Sequence, residues 1–216
     1  MQKTYLCIDL KSFYASVECV ELGLDPFEVN LVVADPTRGG GAITLAATPA
    51  IKKLGVPSRG RIFEIDPKIE YMIAPPRMHL YMEYSCKVYK VFLEFIAKED
   101  IHVYSIDESF LDVTSYLKLY QVNAKELAKK MLDRIYEKTG LTATVGIGTN
   151  LYLAKIAMDI SAKHNVDRMA YLNEDLYRQT LWHHTPMTDF WEYMKLDRDK
   201  STFKSHRDFD SEIEMT

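Results

Sequence analysis

Two apolar, strand-like runs far apart in the chain each deliver carboxylates to a turn. Thr4 to Leu10 ends at Asp9, and Ile101 to Ile106 runs into Asp107 and Glu108. A carboxylate beside a hydrophobic core loses hydration and must recover it from a partner, and for hard oxygen ligands a divalent cation is the usual one. Any fold for this chain must therefore bring both strand ends to a place where their charge is balanced. Read with a period of two, Tyr5, Cys7 and Asp9 share one face of the first strand, and Leu6, Ile8 and Leu10 share the other. Placed side by side, the two runs would form an anionic pocket suited to Mg²⁺.

The remaining pattern says how they come together. Ser12 reads as the cap of a helix presenting Phe13, Val17 and either Val20 or Leu24, which ends at Pro26. Leu31 to Ala34 reads as a short strand, Asp35 to Gly41 as a turn and Ala42 to Ala47 as its hairpin partner. Thr48 and Pro49 open a short helix carrying Lys52 and Lys53, stopped by Gly55; residues 57–76 read as irregular. Tyr81 to Ala97 has helical spacing. Ile101 to Ile106 pairs with Phe110 to Val113 as a hairpin, and Asn123 with Glu126 forms a capping box for a helix that stops at Gly140. A strand over Thr142 to Ile147, a helix opened by Thr149 and Asn150, and a last strand over Arg168 to Leu172 complete the order.

That order is the split βαβ pattern of an α+β, ferredoxin-like domain: an antiparallel sheet with helices on one face and the other face open. Residues 11–76 read as a small α/β lobe inserted after the first strand. The expectation is that the first strand and the first strand of the hairpin lie side by side, so that Asp9 and Asp107 meet on the open face.

Composition narrows the function classes. The chain has 216 residues, 47% of them hydrophobic, which is ample material for a core. No apolar run approaches the roughly 20 residues of a membrane span, and the N-terminus has no signal-peptide pattern, so no membrane role is expected. The cysteines Cys7, Cys19 and Cys86 have no CxxC spacing, which argues against a zinc site or a disulfide framework and for a reducing, cytoplasmic location. A net charge of −4 argues against a strong grip on DNA by this chain alone.

Three converging carboxylates are what two Mg²⁺ ions about 3.5–4 Å apart require for phosphoryl transfer. Here the sequence resembles a known family. Asp9-Leu10-Lys11-Ser12-Phe13-Tyr14-Ala15-Ser16 is similar to the opening motif of the Y-family (translesion) DNA polymerases, closest to the UmuC-like bacterial branch. Ser105-Ile106-Asp107-Glu108 is similar to their second carboxylate motif. Val145-Gly146-Ile147-Gly148, Asn150, Leu153-Ala154-Lys155-Ile156-Ala157 and Lys163 form a third, with one extra residue before Lys163.

The resemblance, over residues 4–191, implies a catalytic palm formed by 1–10 and 77–172 and a fingers lobe formed by 11–76. It implies template-directed nucleotidyl transfer on primer-template DNA with an incoming dNTP and two Mg²⁺ ions, for which Mn²⁺ can substitute. Asp9 and Asp107 would bridge both ions, Glu108 would join the ion at the primer 3′-hydroxyl, and the Leu10 carbonyl would contact the nucleotide-bound ion. The backbone amides of Ser12, Phe13 and Tyr14 would face the triphosphate. Tyr14 would be the steric gate against a ribose hydroxyl, and Thr48, Lys52 and Lys163 would contact phosphate.

Residues 173–216 read as the start of a thumb followed by a polar tail, with the DNA-gripping little finger absent. Contacts to a sliding clamp or other replication proteins would lie in such parts. Weak activity is therefore expected of the chain alone. A non-catalytic nucleotide- or partner-binding module is the alternative, and a nucleotide cyclase shares the two-carboxylate chemistry but not the Phe13-Tyr14 pair.

Overall fold

The computed structural model describes residues 2–190, and the expected polar tail after residue 191 lies outside them. The main sheet has the strands β1 (Tyr5–Leu10), β5 (Ile101–Val103), β6 (Glu108–Asp112), β7 (Ala143–Gly148) and β8 (Met169–Leu172) in the order β5-β6-β1-β7-β8. β1 is antiparallel to both β6 and β7, and β8 is parallel to β7. A smaller sheet, in the order β3-β2-β4, is formed by β2 (Leu31–Val33), β3 (Ala46–Ala47) and β4 (Met72–Ala74). The helices are α1 (Phe13–Glu21), α2 (Pro49–Lys53), α3 (Met78–Leu93), α4 (Thr114–Tyr120), α5 (Ala124–Thr139), α6 (Leu151–Ile156) and α7 (Glu174–Thr180).

The expected ferredoxin-like order is present, with one correction at its centre. It is β6, the second strand of the hairpin, that lies beside β1, while β5 forms the sheet edge. In a hairpin both strands cannot neighbour β1, and the buried run Glu108-Ser109-Phe110-Leu111 takes the inner place, whereas His102 and Val103 of β5 are exposed. Asp107 consequently belongs to the turn before β6 and not to the end of β5.

Two further differences have plain causes. Residues 57–76, expected to be irregular, hold a 3-10 turn (Ile62–Glu64) and β4, which pairs parallel to β2 through Val32 opposite Ile73. The three-residue strand is too short to show a period. The expected cap at Ser12 is also different: Ser12 has φ 50°, in the left-handed region, and its side chain caps nothing on α1. The Asn123–Glu126 capping box and the stop at Gly140 (φ 69°) are present as expected.

Leu6, Ile8 and Leu10 of β1 pack with Ala143, Val145 and Ile147 of β7 against Val88 and Phe92 of α3 and Leu127, Met131 and Ile135 of α5. The same core runs through Phe13, Ala15 and Val17 of α1 to Leu31 and Val33 of the small sheet. The other face of the main sheet is only half open, which corrects the expectation. Cys7 and Phe110 pack there against Ala154 and Met158, so α6 and the turn that follows it cover that part. Two glycines make this possible. A Cβ at Gly146 would lie 2.0 Å from the Ala154 carbonyl oxygen, and one at Gly148 would lie 2.2 Å from the Ala154 nitrogen. Glycine in a strand interior marks such a close backbone approach.

After α6 the chain makes a π-helical turn over Ala157–Ser161 and then a 3-10 turn over Ala162–His164. A π turn is the form an inserted residue takes within a helix.

Replacing Gly146 with alanine should force α6 off the sheet and cost about 3 kcal/mol of folding stability, a typical penalty for overpacking a rigid contact. Urea unfolding of the two proteins measures this directly. A change within about 0.5 kcal/mol, the range of a neutral surface substitution, would show that α6 is not seated as described.

Candidate active site

The site grows out of the pairing of β1 with β6. Asp9 stands directly opposite Glu108, and the Leu10 N–H donates to the Asp107 carbonyl oxygen at 2.9 Å. Asp9 and Glu108 therefore meet at one end of the two central strands, on the face that also carries Cys7, and Asp107 stands beside them in the turn before β6. Their side chains are not assembled as a ready cage. Among the described residues no group of three or more Asp, Glu, His or Cys side chains stands poised around a common point.

Each carboxylate has a different partner. Glu108, buried, takes the Lys155 ammonium at 2.8 Å from each of its two oxygens and accepts the Cys7 thiol at 3.2 Å. Lys155 also contacts Asp159 at 3.1 Å. Asp107 accepts the Ser105 hydroxyl at 2.7 Å. Asp9 has the least: no described N–H or O–H donates to its carboxylate, and its nearest opposite charge is Lys163 Nζ at 3.8 Å. Lys163 itself is held by Asp159 at 2.8 Å, one helical turn away.

The energetics follow from that imbalance. Burial pushes the Asp9 carboxyl up to about 7; Lys163 pulls it down, and Asp107 and Glu108 push it up again. Burial works to lower the Lys155 ammonium, yet Asp159 and Glu108 outweigh it and hold it well above the ordinary lysine range. Lys163 is likewise raised, because Asp9 and Asp159 overcome its burial. A partly buried anion short of donors, with two further carboxylates acting on it, is the environment that a hard cation completes. The residues present fit such an ion: Asp9, Asp107, Glu108 and the Leu10 carbonyl would hold it.

Two further lysines lie near Lys163. Lys52 Nζ donates to Ser12 Oγ at 2.8 Å, bringing the small lobe to the head of α1. Burial lowers the Lys52 ammonium, and the nearby Lys163 lowers it further. Lys11 is lowered by burial and then by Arg168, Lys53 and Lys163. Mutually crowded ammonium groups beside a carboxylate cluster are stabilised by a polyanion, and a triphosphate is one.

Tyr14 lies at the same place: burial raises its phenol, Asp107 raises it further and Arg59 lowers it. Thr48, expected to contact phosphate, is placed elsewhere. Its side chain is fully buried, its hydroxyl donating to the Val29 carbonyl at 2.7 Å and accepting the Leu31 N–H at 3.1 Å. That hydroxyl ties α2 to the small sheet, and it is not free for phosphate.

Sequence reasoning assigned no role to Lys155, Asp159 or Lys11. The signal for the first two was the spacing Lys155, Asp159, Lys163, one charge per helical turn of alternating sign. Helical periodicity alone would have shown them sharing a face.

Residues 8–159 match the impB/mucB/samB family. Among curated proteins the chain is 38% identical over 193 residues to UvrX of Bacillus subtilis, named for UV-damage repair, spanning 88% of this chain and 44% of that one. It is 36% identical over 185 residues to DNA polymerase IV 2 of the same organism, spanning 84% and 43%. About half of this chain (49%) is 42% identical to 93% of a shorter B. subtilis protein, the DNA repair protein homolog YozK. Among solved structures, DinB from Sulfolobus solfataricus superposes with a TM-score of 0.70 at 25% identity, over 88% of this chain and 53% of that one. The insertion ternary complex of Dbh DNA polymerase gives 0.71 at 25% identity, over 88% and 54%. The chain thus spans less than half the length of UvrX and polymerase IV 2.

The raised Asp9 carboxyl has a stability consequence with a definite sign. A carboxyl that holds its proton more tightly folded than unfolded makes stability fall as pH rises from about 4, its unfolded range, through about 7. Asp9→Asn should therefore be close to neutral at pH 4 and increasingly more stable than the parent protein up to about pH 7, by a few kcal/mol. Urea midpoints across that range measure it, with chelator present. A pH-independent difference would show that Asp9 is adequately paired as it stands.

Proposed function

The chain belongs to the impB/mucB/samB family of Y-family polymerases, and from that membership we propose that it carries the nucleotidyl-transfer chemistry of translesion DNA synthesis. The observation that carries the proposal is the meeting of Asp9 and Glu108 on adjacent central strands, with Asp107 in the turn before β6, Lys52 and Lys163 acting on the same centre and Lys11 near Lys163. The anionic centre suits divalent ions, and the basic rim suits the triphosphate of a dNTP. The reaction is attack of a primer 3′-hydroxyl on the α-phosphate, with pyrophosphate leaving.

Two divalent ions, Mg²⁺ or Mn²⁺, supply activation of the attacking oxygen and stabilisation of the leaving one when bound. Asp9, Asp107, Glu108 and the Leu10 carbonyl would hold them. Glu108 becomes available by giving up Lys155, which Asp159 retains. Lys163 and Lys52 balance phosphate charge, and Lys11 adds a third ammonium at the same rim. The amides of Phe13 and Tyr14 open α1 toward the same region, where N–H groups lack helical partners. Tyr14 lies against the sugar and rejects the 2′-hydroxyl of a ribonucleotide.

In this reading the five-stranded sheet with α3 and α5 is the palm, and residues 11–76 are the fingers. Primer-template DNA is the polymeric substrate. Positioning of the primer contributes much of the rate of such a reaction, so primer extension is measured at high protein and DNA concentrations.

A second reading, a nucleotide-binding module without transfer activity, draws on the fact that Lys155 already neutralises Glu108. Extension of a primer across a damaged template base, at high protein and DNA concentrations with Mg²⁺ or Mn²⁺, separates the two. The proposal expects slow, metal-dependent incorporation that Asp107→Ala reduces to background with the fold retained. Nucleotide binding with no incorporation under any of these conditions would leave the module.

A further inference from the structure

The contact that fixes Tyr14 is made by residues that neither bind metal nor reach the phosphate rim. Tyr14 and Glu18 lie one turn apart on α1, and Arg77 and Tyr81 lie one turn apart at the head of α3. At that spacing two side chains share one helix face. Tyr81 touches both residues of the α1 pair. Its ring stacks on Tyr14 with centroids 4.3 Å apart and planes 14° from parallel, and its hydroxyl donates to Glu18 Oε1 at 2.6 Å. Arg77 Nε donates to both Glu18 oxygens at 3.1 Å, and its Nη2 reaches Glu18 as well. Phe13 leans on the same ring at 6.3 Å.

Tyr81 is fully buried and Glu18 is 3% exposed, so the Tyr81–Glu18 bond is internal, with the half-exposed Arg77 closing over Glu18 from the solvent side. Tyr14 differs from both. It is partly buried, and its hydroxyl has no hydrogen-bond partner among the described residues, so the direction of its ring is set by the rings it packs on. Tyr81, in contrast, is pinned at both ends, by the Glu18 carboxylate and by the backbone of its own helix, where its N–H donates to the Arg77 carbonyl at 3.1 Å.

We propose that Tyr81, locked by Glu18 and Arg77, is a positioning residue for sugar discrimination, setting the plane in which Tyr14 meets the nucleotide. This rests on the reading of Tyr14 as the steric gate. Packing alone does not require such a device. Burying the Glu18 carboxylate costs desolvation, and apolar side chains of similar volume hold two helices together at least as well. What the polar lock adds is direction. A phenol hydrogen-bonded at 2.6 Å to a carboxylate that is itself clamped cannot swing, and neither can the ring stacked on it. The adjacent Tyr84–Glu21 hydrogen bond at 2.8 Å already ties α1 to α3 without touching Tyr14, so the Tyr81 contact is not needed merely to join the helices.

Nucleotide affinity tests this without requiring turnover. The full chain, with Mn²⁺, is titrated with dATP and with ATP, and the ratio of the two dissociation constants is the readout. Tyr14→Ala should abolish the preference for dATP. Tyr81→Leu, which removes the stack, should reduce the preference about fivefold, the value of one aromatic contact, and change dATP affinity by less than about twofold. Tyr81→Phe keeps the ring and loses only the bond to Glu18, and should lose about twofold of the preference. Tyr81→Leu placed on Tyr14→Ala should lose nothing more, because the gate it aims is gone.

Tyr81→Phe preserves volume and decides the matter if Tyr81→Leu does not fold, with thermal melts reporting the fold of each. A wild-type ratio in folded Tyr81→Phe and Tyr81→Leu, alongside a lost ratio in Tyr14→Ala, overturns the positioning role while leaving the gate intact. A wild-type ratio in Tyr14→Ala overturns the gate, and the positioning role falls with it.

Discussion

The pairing of β1 with β6 is the constraint on which the remainder depends. Side chains alternate along a strand, so a slip of one residue would turn Asp9 into the core and Leu10 or Ile8 toward the site. The register is held by what lies beneath it. Leu6, Ile8 and Leu10 are buried against α3 and α5 on one side, and Cys7 faces Phe110 and α6 on the other. With both faces of the strand committed, Asp9 and Glu108 have one possible relation: opposite one another at the end of the ladder.

That placement creates an electrostatic problem, and the lysines are its partial answer. Lys155 satisfies Glu108 and is itself satisfied by Asp159, while Asp159 turns Lys163 toward Asp9 without closing the distance. The helix α6 is thus more than a cover for the sheet. It brings an alternating row of charges to the carboxylates, and it comes close enough because Gly146 and Gly148 have no side chains in its path. Beyond the π turn, Lys163 stays in that row through its contact with Asp159. The site is balanced enough to fold and unbalanced enough at Asp9 to favour a cation.

Much of this was legible in the sequence. The period of β1 gave the face of Asp9, the capping box gave α5, and the order of elements gave the ferredoxin-like topology. The choice between β5 and β6 as the neighbour of β1 was not legible, because it turns on which hairpin strand is buried, and both are short. The cover on the second face was missed although the alternating glycines of β7 were in view; their meaning depends on a helix that local pattern does not place. Thr48 as a phosphate contact was implied only by the family resemblance at Thr48-Pro49, and only the fold shows its hydroxyl spent inside the small sheet. The lock of Tyr81 by Glu18 and Arg77 joins residues about sixty positions apart, beyond the reach of any local spacing rule.

The central claim is that Asp9, Asp107 and Glu108 form one metal-dependent centre for handling a nucleotide triphosphate. Crystals grown with Mn²⁺ and dATP, measured at the manganese absorption edge, test it most directly. The account predicts anomalous peaks bridged by Asp9 and Asp107, with Glu108 released from Lys155 and the triphosphate on Lys52 and Lys163. Manganese bound elsewhere, with Lys155 still seated on Glu108 and Asp9 without a cation, would contradict it.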